Sequence, residues 1–176
     1  MDWSRGSPEL KKQILEESNS FLSGTVAIAA SADQRAAVMA GTFTAAATAI
    51  VAGLMALGAT AGGIHQLFPV YAGGVVAAAA FAVGALFCVL AMMPANFYLP
   101  GSTPAEWEDD VIANRSLEAC RTDMIQIAGR RALHNRGVIA KNASRFLVGV
   151  SAGIFAPFAG LIVWGLWTIA ALPVGG

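Results

Sequence analysis

The chain has 176 residues, 56% of them hydrophobic and only 12% charged, with 11 basic and 11 acidic side chains that cancel at neutral pH. About 25% charged residues is usual for a soluble domain, and a core of this size cannot hide so much apolar side chain from water. An ordinary water-soluble domain is therefore excluded, and the length is that of a single domain.

The N-terminal stretch MDWSRGSPELKKQILEESNSF is polar and helical in pattern, without the short apolar core of a cleaved secretory signal. Ser7 is placed as an N-cap and Pro8 at the first helical position. Leu10, Ile14, Phe21 and Val26 recur at helical intervals, so this helix is expected to bury them and to run on towards the first span. Asp33 and Arg35 then close the charged segment, and residues 36–105 contain no Asp, Glu, Lys or Arg.

Within and beyond that run the pattern predicts three membrane spans, at roughly 36–60, 70–93 and 146–170. Each is long enough to cross ~30 Å of hydrocarbon at 1.5 Å per residue. Between the second and third spans, Pro94, Pro100 and Gly101 break the chain. Thr103, Pro104 and Glu106 then form a capping box, with Glu108, Asp109 and Asp110 at the positive helix end. Residues 104–145 are expected as one helix, or as two with a bend near Gly129 or Gly137. Leu117, Met124 and Ile127 would be its apolar stripe. Pro157 is expected to kink the third span.

The predicted fold is all-α: an integral membrane protein with three transmembrane helices and a small cytoplasmic helical bundle. Its parts are a cytoplasmic amphipathic helix (1–35), a transmembrane hairpin (36–93), a cytoplasmic helical segment (94–145), and a third transmembrane helix with a short outer tail (146–176). Every basic residue lies in 1–35 or 106–145. The positive-inside rule accordingly puts the N-terminus and 94–145 in the cytoplasm and the C-terminus outside. Asp33, Arg35 and Arg145 become membrane-interface residues at the cytoplasmic lips of the spans, with a hinge or gate as the sharper reading of Asp33 and Arg35.

Small residues recur every four positions in the first span: Ala36, Ala40, Thr44, Thr48, Ala52 and Ala56, beside Gly41, Ala45, Ala49 and Gly53. They predict a tight hairpin of spans one and two and a surface for a homo-oligomer. No Asp, Glu, Lys, Arg or His falls inside a span, which argues against a dedicated ion pathway within one copy. Thr44 and Thr48 are expected to bond the preceding helical turn.

The most reactive-looking stretch is IAGRRALHNRGVIAKN, residues 127–142. Arg130, Arg131, His134 and Arg136 are candidates for a phosphate-bearing ligand, because guanidinium forks match phosphate geometry. The competing explanation is anionic lipid, worth about 1 kcal/mol per basic residue near the surface. Asn135 and Asn142 are expected to pair within the bundle and fix its register. Cys88 and Cys120 do not read as a disulfide. No catalytic set, metal motif, cofactor motif or nucleic-acid motif is present, so the chain reads as a non-enzyme.

The order of features, Ala32-Asp33-Gln34-Arg35-Ala36 entering the first span and FYLPGSTPAEWEDD opening the charged helix after the second, resembles the membrane effectors of Pycsar-type bacterial defence systems. The likeness covers most of the chain. It implies a cytoplasmic part that senses a cyclic pyrimidine nucleotide made on phage infection, and spans that rearrange or multimerise to permeabilise the membrane. It transfers no ligand residue. Two other classes compete: a structural or accessory subunit of a larger membrane complex, and a holin-like pore former. Expected partners are thus the lipid bilayer, further copies, a cyclic nucleotide or a larger complex.

Overall fold

A computed structural model describes residues 6–60, 64–93, 96–102 and 107–171. The described residues form α1 (Pro8–Thr60), α2 (Ile64–Ala91), α3 (Glu108–Ile112) and α4 (Leu117–Ala170), without a strand. Three of these helices are long and apolar enough to cross a membrane.

The helix starts follow local rules. Ser7 Oγ accepts the Leu10 N–H at 3.2 Å, so the expected N-cap and the Pro8 first position are both realised. The second apolar helix begins earlier than position 70, at Ile64, and keeps Pro69 inside it. It ends at Ala91 rather than 93, where the Met92 N–H closes a tight turn onto Val89 O at 3.0 Å.

Residues 104–145 are not one helix, and the break lies at neither Gly129 nor Gly137. The Thr103–Glu106 capping box falls outside the described residues. α3 ends at Ile112, and two residues on Asn114 has a left-handed φ of 47°. The Asn114 and Arg115 amides then turn back onto Val111 O and Asp110 O. That is the chemistry of a helix stop, which asparagine tolerates better than most residues. Ser116 restarts the chain by accepting the Ala119 N–H at 3.3 Å. Arg115 bridges the break, donating to Asp110 at 2.7 Å and Asp123 at 2.6 Å. α4 continues through Gly129, Gly137 and Pro157.

The helices divide into two compact units, Met1–Ala32 with Pro94–Lys141 and Asp33–Met93 with Asn142–Gly176. In the second unit the core is Ala40, Phe43, Ala85 and Cys88, flanked by Met39, Phe81, Met92 and Phe146. At the glycines of this unit the close backbone contacts join α2 to α4. A Cβ on Gly84 would stand 2.9 Å from Gly149 O, and one on Gly73 would stand 2.6 Å from Gly160 O. Only hydrogen fits there, so the two backbones touch and gain the dispersion contact that lipid-embedded helices depend on.

α1 instead offers large side chains, with the Phe43 ring filling the space over Gly153. Of its small-residue rows only Ala36 and Ala40 are buried, and Gly41 and Gly53 face open space. Tyr71 Oη donates to Leu54 O at 2.8 Å. Thr44 and Thr48 donate to Ala40 O and Thr44 O at 2.8 and 2.9 Å, which satisfies their hydroxyls within the helix.

In the first unit α1 buries Lys11, Leu22 and Thr25, while Leu10 and Phe21 of the expected stripe stay exposed. α4 buries Cys120, Ile125, Ala128 and Asn135, and leaves Leu117 57% and Ile127 36% exposed. Adjacent stripes on a helix lie only about 100° apart, and polar contacts choose between them here. Lys11, 2% exposed, reaches Glu118 at 2.8 Å and pins the start of α1 to the start of α4.

Candidate functional site

The segment between α2 and α3 is the focus of the polar contacts in the first unit. Its residues 96–102 are irregular, so their backbone groups need partners from elsewhere. Asn135 is fully buried and supplies two of them. Its Oδ1 accepts the Tyr98 N–H at 3.0 Å, and its Nδ2 donates to Tyr98 O at 2.9 Å. A side-chain amide is the one uncharged side-chain group with donor and acceptor spaced to match a peptide in this way. Asn135 thus does not pair with Asn142, as the sequence suggested. Asn142, seven residues along the same helix, lies in the other unit.

Two of the nominated basic residues join this grip. Arg131 Nη1 donates to Gly101 O at 2.8 Å, and its guanidinium lies 5.7 Å from the Tyr98 ring centroid. His134 Nε2 lies 2.9 Å from Asn96 O, and its ring meets Tyr98 edge to face at 5.1 Å. From α1, Asn19 Oδ1 accepts the Gly101 N–H at 3.1 Å. Gly101 has φ +85°, a conformation that glycine takes without penalty. Both sides of its backbone are therefore held, one by each helix, and the segment straps α1 to α4. Beneath it is a cavity of about 20 Å³ lined in part by Asn19, Gly101 and Arg131, room for one water at most.

The nominated cluster is not a single patch. Arg131, half-buried, and His134, exposed, share the strap face, whereas Arg130 and Arg136 are exposed away from it. The latter two are six positions apart and so point about 120° from each other. A phosphate-bearing ligand would compete with Gly101 O for Arg131, while Arg130 and Arg136 are open to solvent or headgroups. At the other nominated positions, Asp33 and Arg35 are exposed on α1. Arg145 Nη1 donates to Leu90 O at 3.0 Å and supplies positive charge to the C-terminal end of α2.

Two environments bear on chemistry elsewhere. Cys120 is buried beside Asp110; burial, and then that carboxylate, raise its thiol above the ordinary value and keep it protonated. In the second unit a groove of about 610 Å³ runs past Leu54, Gly73, Phe81, Pro157 and Trp164. With no ionisable group in its lining, it suits only an apolar occupant. Among the described residues no group of three or more His, Cys, Asp or Glu is placed to hold a metal ion.

The strap was missed in the sequence reading, although its signals were there: a Pro100-Gly101 turn that must dock somewhere, and an asparagine at a helix position otherwise kept apolar. The wider comparisons offer no relative from which a role can be read: no family model matches the chain, and neither a curated protein nor a solved structure is similar to it.

Proposed function

We propose that the chain is a multi-pass protein of a bacterial inner membrane, with its charged unit in the cytoplasm and its C-terminus outside. There it acts as an effector that answers a cytoplasmic nucleotide signal by perturbing the membrane in anti-phage defence. The observation that carries this reading is the hold of Arg131 on Gly101. It is a charge-assisted bond to a neutral carbonyl, and a phosphate is the stronger partner for a guanidinium. An anionic ligand that competes for the guanidinium would draw Arg131 off the strap and free the segment that leads out of α2.

The test is membrane potential in cells expressing the protein, read with a potential-sensitive dye while a cyclic pyrimidine nucleotide is supplied. Depolarisation is expected in the wild type and a weakened response in Arg131→Gln. A potential that stays level at saturating nucleotide sinks the proposal. Toxicity without any nucleotide would instead indicate the holin-like reading.

A second reading, a structural or accessory subunit of a larger membrane complex, is favoured by the open face of α1 around Gly41 and Gly53, where another helix can approach closely. It predicts stoichiometric co-purification with a partner and no toxicity alone.

A further inference from the structure

Beyond Asp123, α4 has no acidic residue. Residues 124–145 contain Arg130, Arg131, Arg136, Lys141 and Arg145 and no Asp or Glu. Their charge is therefore uncompensated along the helix itself. Packing does not neutralise all of it either: Arg130 and Lys141 are exposed and make no ion pair among the described residues. At 100° per residue Lys141 returns to within about 20° of Arg130, so the two cations share one face of α4. Gly137 lies between them on that face, exposed and with nothing within 4 Å of where a Cβ would stand. His134 borders the face on the side of the strap, its ring fixed by Asn96 O and Tyr98. Arg136 points about 120° away from Arg130.

We propose that this face binds a ligand carrying two linked phosphates. Two cations without counter-ions attract an anion, and phosphate oxygens accept charge-assisted hydrogen bonds from guanidinium and ammonium alike. The number of phosphates follows from the spacing. Eleven residues at 1.5 Å put Arg130 and Lys141 about 16 Å apart along the axis. Helical side chains lean towards the N-terminus, which directs Lys141 over Gly137 and Arg130 away from it. One phosphate therefore reaches one cation, and a second engages the other. The bare glycine leaves room for the link between them. A soluble diphosphate and the paired phosphates of a cardiolipin headgroup offer the same chemistry. This site is separate from the nucleotide reading, which turns on Arg131.

The chain has two histidines, and His134 stands beside the face as its reporter. The full chain with isotope-labelled histidine is placed in phosphatidylcholine nanodiscs and titrated with inorganic pyrophosphate or orthophosphate. A parallel sample uses nanodiscs containing cardiolipin. His134→Gln assigns the His134 magnetic resonance signal. That signal is expected to move with pyrophosphate at a concentration about tenfold below that needed with orthophosphate. Movement with cardiolipin alone identifies lipid as the source of the two phosphates and equally supports the site. Arg130→Gln and Lys141→Gln should each weaken the response about tenfold, and Arg136→Gln should leave it unchanged. All three residues are exposed, so the comparison does not hinge on a core substitution. A signal that stays still with pyrophosphate and with cardiolipin overturns the proposal. So does orthophosphate acting as strongly as pyrophosphate, or a loss in Arg136→Gln equal to that in Lys141→Gln.

Discussion

Asn135 and the Tyr98 peptide are joined at both ends, by bonds of 3.0 and 2.9 Å, and the amide that makes them is wholly buried. Removing it leaves an amide hydrogen and a carbonyl without their partner, at about 1–3 kcal/mol for each group that water does not reach. Asn135→Ala is expected to destabilise the charged unit by about 2 kcal/mol. It should also raise hydrogen exchange at residues 97–101 well above that of the α4 core. Unchanged exchange in this segment would show that the strap is held by other means.

Glycines of the apolar helices should divide sharply on substitution. Gly84→Ala drives a methyl into Gly149 O and the Gly153 N–H, both backbone and unable to move aside, so a loss of about 1–3 kcal/mol is expected. Gly41→Ala meets nothing within 4 Å, and trading glycine for alanine in a helix should be neutral or gain roughly 0.5–1 kcal/mol. Thermal unfolding in detergent compares the two, and equal effects would contradict the α2–α4 contact.

The ion pair of Lys11 with Glu118 is asymmetric, the ammonium being buried and the carboxylate 43% exposed. Glu118→Gln takes the carboxylate from a desolvated cation and should cost about 2 kcal/mol, less than for a fully buried pair because water reaches one side. Lys11→Met removes the buried charge and leaves a carboxylate that water can solvate, so it should be neutral or stabilising. Chemical denaturation of both variants checks the order, and the reverse order would refute the burial of Lys11.

Cys120 gives the charged unit a dependence on alkaline pH. Its thiol holds the proton to higher pH in the folded state than in the unfolded state, through burial first and Asp110 second. The contribution is therefore complete below the unfolded value near 9 and is lost as pH rises through the higher folded value. Stability should fall above about pH 9 and fall less steeply in Cys120→Ala. In the native protein, alkylation of Cys120 at pH 8 should be far slower than in denaturant; equal rates would show an accessible thiolate.

Much of this architecture is legible residue by residue. The Ser7 cap with Pro8 behind it and the placement of all charge outside three apolar stretches follow from local chemistry and from the cost of burying ions. The stop at Asn114 and the restart at Ser116 are equally local, an αL-tolerant asparagine followed by a serine cap. Which stripe of α1 turns inward was not legible. Leu10–Phe21 and Lys11–Leu22 differ by one position, and only a partner helix carrying Glu118 and Ala128 selects the second.

By itself the sequence determined helix identity and apolar character, because these depend on each residue's own propensity and solvation. Tertiary structure decided which glycines of α2 and α4 touch and that Asn135 grips Tyr98 rather than Asn142. It also gave Arg131 and His134 partners in the strap, Gly101 O and Asn96 O. These are matters of which surfaces meet, and close contact between segments tens of residues apart leaves no periodic trace in either one.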